Sequence, residues 1–126
     1  MPQNLRLSKK SLLSQKIKVL LVEAFPNFNL LDEHHIKVEG TNLFIDFFLP
    51  QLNLAVEVDG AQHDKFNEFF HGEVGAFRKS KRRDRLKEAW AQMNNVTIIR
   101  VKADEVDELT ATTLLDKIEK ERGNGL

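Results

Sequence analysis

The chain of 126 residues has no cysteine, which excludes a disulfide framework and a thiolate zinc site and leaves burial to hold the fold together. It also lacks any apolar run near the roughly 18 residues a membrane-spanning helix needs. The opening MPQNLRLSKK has no apolar core of a secretion signal. A cytoplasmic protein with no membrane partner is therefore expected. Neither sign of charge is in excess, because 19 acidic and 19 basic residues balance, so net charge implies no partner and only its distribution along the chain informs. The length fits a single domain over residues 1–126.

What is present follows a clear order. SLLSQKIKVLLVEAF repeats apolar residues at Leu13, Ile17, Leu20, Leu21 and Ala24, the spacing of an amphipathic helix that Pro26 and Asn27 end, with Glu23 on its flank. HHIKV, LFIDFFL and LNLAVEV read as three strands separated by EGTN and PQLN, and their short connections suggest an antiparallel meander. From Gly60 to Phe77 periodicity fades; Gly72 and Gly75 argue against a long helix there, although FNEFF could form a short one. Leu86, Ala89, Trp90 and Met93 then mark a second helix, with Trp90 as its anchor to the sheet, before the strand VTIIRV. A last helix is expected over about 104–121, through Leu114, Leu115 and Ile118. The order αβββαβα implies an α/β (α+β) fold, a mixed sheet flanked by helices.

Two of these apolar strands carry acids. Alternation puts Glu57 and Asp59 on one face of their strand, and Asp46 on the face of Phe44 and Phe48 in the preceding one. If Leu49 pairs with Leu54 across PQLN, Asp46 lies directly opposite Glu57, where Cβ atoms stand about 4.5–5.5 Å apart and like charges destabilise the pair. A shared proton, a buried Lys or Arg, or a divalent cation must neutralise them. Arg100 on the later strand is the obvious structural partner, whereas Mg²⁺ or Mn²⁺ suits hard oxygen ligands with water and phosphate completing its shell. Gly60 can give a sharp exit from the strand, and His63 just beyond it is placed to move a proton or hold a water, or is simply an exposed loop residue.

The run RKSKRRDRLK gathers Arg78, Lys79, Lys81, Arg82, Arg83, Arg85 and Lys87 around Asp84. It reads either as a solvated helix face or as a positive field where phosphates dock. Arg82 and Arg83 sit one turn before Leu86 and so project toward the end of the sheet-facing side. Phe66, Phe69, Phe70 and Phe77 fit core or lid packing better than base stacking. His34 and His35, adjacent on a strand, point to opposite faces and cannot share one site.

An Asp in one strand, an acid-x-acid pair closing the next and a Glu in a preceding helix together resemble the PD-(D/E)XK nuclease superfamily. VEVDGAQH, the basic segment, RDRLKEAW and VTIIRV resemble its very-short-patch-repair-endonuclease-like branch, over roughly residues 10–102. The resemblance implies a restriction-endonuclease-like αβββαβ core and hydrolysis of DNA phosphodiesters with Mg²⁺ (or Mn²⁺). Asp46, Glu57 and the Val58 carbonyl would bind the metal, and Glu23 would be the helix acid. Asp59 stands where the superfamily usually has a Lys, which makes His63 the candidate for proton transfer. Beside such carboxylates the basic run is expected to grip DNA. A domain of this size would cut both strands as a homodimer or by successive nicks. The zinc-binding cysteines of some members of that branch are missing, so mismatch specificity of that kind is not implied. Two other functions also fit: an inactive nucleic-acid-binding module of the same fold, and a structural or interaction protein whose acids Arg100 neutralises.

Overall fold

A computed structural model describes residues 9–59 and 71–123 of the chain. Helix α1 (Lys9–Ala24) buries Ile17, Leu20 and Leu21 and packs Leu13 beside them, the stripe that its spacing predicts. Phe25 still donates to the Leu21 carbonyl at 2.9 Å. Pro26, which has no N–H to continue the pattern, stops it.

Strands β1 (Leu31–Val38) and β2 (Thr41–Leu49) form a hairpin. Its two-residue turn puts Glu39 and Gly40 at φ 50° and 79°. Both positive values mark the type I′ geometry whose twist matches the flanking strands. A short 3-10 turn, Pro50–Leu52, and a left-handed Asn53 then lead into β3 (Leu54–Asp59). The antiparallel register of β2 and β3 is Leu49 with Leu54, Phe48 with Ala55 and Phe47 with Val56, as the PQLN loop predicts.

Helix α2 (His71–Asn94) crosses over to β4 (Thr97–Lys102), which lies parallel to β3 and completes the sheet order β1-β2-β3-β4. Two expectations are corrected here. The helix runs straight through Gly72 and Gly75, because each glycine costs only about 1 kcal/mol in a helix interior and a 24-residue helix has many turns to offset it. Met93, expected on the apolar stripe, is 81% exposed, whereas Leu86 and Trp90 face the sheet.

The C-terminal segment is also two pieces and not one helix: a 3-10 turn, Ala103–Glu108, and helix α3 (Ala111–Glu121). Thr110 starts the second piece, its hydroxyl accepting from the Thr113 N–H at 3.2 Å. Such a side-chain cap favours a fresh helix start over continuation. Leu114 and Ile118 are buried, while Leu115 is only half-buried.

The mixed sheet separates two apolar clusters. Ile17, Leu21, Phe47, Leu49, Leu54, Val56, Ile99 and Leu114 pack under α1 and α3. Ile36, Leu43, Ile45, Ala55 and Leu86 pack under α2, with Phe48 and Trp90 beside them. Strict alternation would put Ile45 and Phe47 on one face of β2, yet they belong to opposite clusters. The break falls at Asp46, whose opposite number on β1 is Glu33, held at φ 49°. That rung is missing from the register between Asp32–Phe47 and His34–Ile45. Both strands change face there, so Asp46 does not share a face with Phe48 as alternation predicts. Phe48 packs edge-on against Trp90 at 5.6 Å. Among the described residues no helix is long and apolar enough to cross a membrane.

Gly75 is exposed inside α2 with nothing within 4 Å of a Cβ added there. Gly75→Ala should therefore raise unfolding stability by about 0.5–1 kcal/mol, read by urea denaturation. No gain would mean that α2 begins after this position.

Candidate functional site

The β2–β3 ladder ends at Phe47–Val56, and at the next step side chains replace backbone partners. The Asp46 N–H donates to Glu57 Oε2 at 2.7 Å, and the Val58 N–H donates to Asp46 Oδ2 at 2.8 Å. Each carboxylate thus closes a backbone donor of the other strand where the two strands fork. An unpartnered N–H in such a place would carry a desolvation cost of a few kcal/mol. Asp46 does stand opposite Glu57, as the register predicts, and both acids face into one fork.

Glu57 is the buried charged residue of the core, 5% exposed. Its second oxygen, Oε1, accepts from Lys87 Nζ at 2.7 Å. Burial pushes the Glu57 carboxyl above the usual carboxylate range and the field of Asp46 adds to this, while the Lys87 ammonium pulls it back. The cation that neutralises Glu57 is therefore Lys87 on α2. Arg100, the partner expected from sequence, is the register neighbour of Glu57 on β4 but turns elsewhere. Its guanidinium bonds Glu88 at 3.0 Å and lies 3.7 Å from Asp84 and 3.9 Å from Asp59. Lys87 was hidden in the basic run; its signal was its place next to Leu86 and one turn before Trp90, the residues that face the sheet.

The remaining expectations divide. Asp59 closes β3 half-buried, with Arg100 as its neighbour and not the fork. Glu23 is exposed, more than a turn beyond the α1 residues Ser14, Gln15 and Lys18 that border Asp46. The acid brought beside Asp46 is instead Glu33, the left-handed residue of β1. Val58 is buried, its N–H spent on Asp46. Gly60, Gln62, His63, Phe66, Phe69 and Phe70 lie outside the described residues, as does the side chain of Phe77. His34 and His35 do face apart, His34 stacking on Phe48 at 4.9 Å and His35 leaning on Phe44 at 5.3 Å.

The basic run is not one uniform face. Arg78, Lys79, Lys81, Arg82, Arg83 and Arg85 are all exposed on α2. Arg83 and Lys87 line a groove of about 250 Å³ with Glu33, Asn42, Phe44 and Asp46. Lys81 and Arg85 turn to the other flank, beside Asp84, Glu88 and Arg100. A second groove, of about 290 Å³, runs from Asp46 along α1 past Lys18, which pairs with Asp32 at 2.8 Å. Asp46 thus borders both grooves.

Two carboxylates in one fork are hard oxygen donors of the kind Mg²⁺ or Mn²⁺ takes from proteins. Among the described residues no group of three acids or histidines converges to hold a metal. A cation at the fork would therefore draw the rest of its shell from water and substrate oxygens.

Comparison with known proteins places the chain beside viral relatives. It is 50% identical over 60 residues to uncharacterized protein 307L of Invertebrate iridescent virus 6. It is 42% identical over 64 residues to uncharacterized protein 033L of Invertebrate iridescent virus 3. These matches cover 48% and 51% of this chain but only 30% and 33% of the relatives' own lengths. No family model matches the chain.

Because folded Glu57 keeps its proton to higher pH than an unfolded glutamate does, its ionisation removes stability as pH rises through the raised value. Lys87→Met deletes the influence that lowers it. The carboxyl should then titrate at still higher pH, by carboxyl carbon NMR, and the stability loss between mildly acidic and neutral pH should deepen relative to the parent. An unchanged titration would break the assignment of Lys87 as the neutralising cation.

Proposed function

We propose that this protein is a Mg²⁺- or Mn²⁺-dependent DNA endonuclease with a restriction-endonuclease-like core. The observation that supports it most is the convergence of Asp46, Glu57 and the Lys87 ammonium at the fork between β2 and β3. A divalent cation bound by the two carboxylates would supply Lewis-acid polarisation of the scissile phosphate. Asp46 and Glu57 hold fixed positions because each is tied to the backbone of the opposite strand, so little reorganisation is needed when substrate arrives. Lys87, at the mouth of the same groove, is placed to meet negative charge developing on the phosphoryl oxygens. It does from α2 what the superfamily's usual Lys does from the position of Asp59. Arg83 is placed to dock a neighbouring phosphate, with Arg78, Lys79 and Arg82 extending the positive surface along the helix. His63, just past β3 in sequence, remains the candidate for proton transfer.

A second reading draws on the same geometry. Glu57 is satisfied on both oxygens by the protein itself, which also suits a DNA-binding module in which the acids only brace the fork.

Supercoiled plasmid and branched DNA titrated with Mg²⁺ or Mn²⁺ decide between the two. Metal-dependent cutting should fall roughly a hundred-fold or more in Asp46→Asn, Glu57→Gln and Lys87→Met, each checked for folding by circular dichroism. Arg83→Ala should instead weaken binding and flatten its salt dependence with turnover largely kept. Binding without any metal-dependent cutting by the parent would sink the nuclease reading in favour of the module.

A further inference from the structure

Phe44 stands on β2 two residues before Asp46 and is 50% exposed, an unusual place for a large apolar ring in the interior of a strand. Its ring is not loose. The His35 imidazole lies 5.3 Å away, tilted by 43°, and His35 is itself fixed by a 2.9 Å hydrogen bond between Nε2 and Asn42 Oδ1. The amide oxygen can only accept, so Nε2 carries the proton. Asn42, Phe44, Asp46, Arg83 and Lys87 line one groove. An aromatic face is thus held beside two cations and one step from the carboxylate fork.

We infer that Phe44 is a stacking platform for an unpaired base, and that the substrate enters the groove as single-stranded DNA, a flap or a frayed end. This rests on the nuclease reading above and adds its substrate class. Charge complementarity selects the occupant. Arg83 and Lys87 offer partners to the phosphates of a strand, and the ring offers a π-face to its base, the pairing of features that single-strand binders use. In an intact duplex both faces of an internal base are already stacked, so Phe44 has nothing to receive from it. The change of strand face at Asp46 is what brings ring and acid to one groove, since strict alternation would bury Ile45 and Phe47 together on the opposite side.

The test uses a single-stranded oligodeoxynucleotide carrying 2-aminopurine, and the duplex of the same sequence, with chelator present so that nothing is cut. The parent should quench the probe in the single strand. Phe44→Ala should weaken single-strand binding roughly five- to a hundred-fold and leave duplex binding unchanged. Phe44→Trp should restore the quenching, whereas Phe44→Leu, which keeps apolar area without a ring, should not. Equal single-strand binding by Phe44→Ala, while Arg83→Ala binds weakly, would overturn the platform and leave the nuclease reading standing. If the parent binds neither DNA, both fall together. A change in sedimentation of Phe44→Ala with DNA binding intact would mean that the ring covers a second copy of the chain, which also overturns the proposal.

Discussion

The point on which the structure turns is the place where β2 leaves β3. Two backbone donors, at Asp46 and Val58, lose their ladder partners inside a largely apolar sheet, and carboxylate oxygens from the opposite strand take over. That solution satisfies the backbone but brings two acids together, and Glu57 is buried among Val56, Val58 and Ala55. A cation must then come from another layer. Lys87 supplies it, and it can reach the fork only because Leu86 and Trp90 seat α2 on the same sheet face. The placement of the helix, the end of the ladder and the charge state of Glu57 are therefore one coupled arrangement.

The residues that gave reliable sequence signals were those whose partners are close in sequence. The α1 stripe, the hairpin turn at Glu39–Gly40 and the Leu49–Leu54 register each depend on spacing within a few positions, and each is found. Face alternation through Asp46 failed because it assumes a continuous pleat, and the left-handed backbone of Glu33 on the neighbouring strand breaks it. Nothing in the local composition of LDEHH marks Glu33 for that conformation. Lys87 was equally hidden, since a cation beneath a helix and one in solvent look alike within a run of cations. The start of α2 was missed for the opposite reason: Gly72 and Gly75 are a real local cost, which the length of the helix absorbs.

The split of the basic run also changes what its charge can do. Lys81 and Arg85 sit with Asp84, Glu88 and Arg100 on the β4 flank, where acids interleave and the field is largely cancelled at close range. On the β1–β2 flank, Arg83 and Lys87 face the groove that contains Asp46. A phosphate drawn to α2 by the cluster as a whole would find its densest uncancelled positive charge next to the fork and not on the opposite flank.

The departure from the superfamily's pattern at Asp59 then has a physical reason. Position 59 ends β3 beside β4, with the Arg100 guanidinium 3.9 Å from the Asp59 carboxylate and Lys102 as its register partner. A lysine at 59 would place a third cation in that corner and remove one of the acids that hold Arg100, whose Nη1 is buried without a hydrogen bond and relies on the surrounding negative field. With Arg100 at that place on β4, an acid at 59 is the stable choice. The cation at the fork must then be delivered from a different element, and α2 is the one packed over Glu57. Asp59 and Lys87 are in this sense two halves of one exchange: the strand gives up the positive charge that Arg100 would repel, and the helix returns it to the carboxylate that needs it.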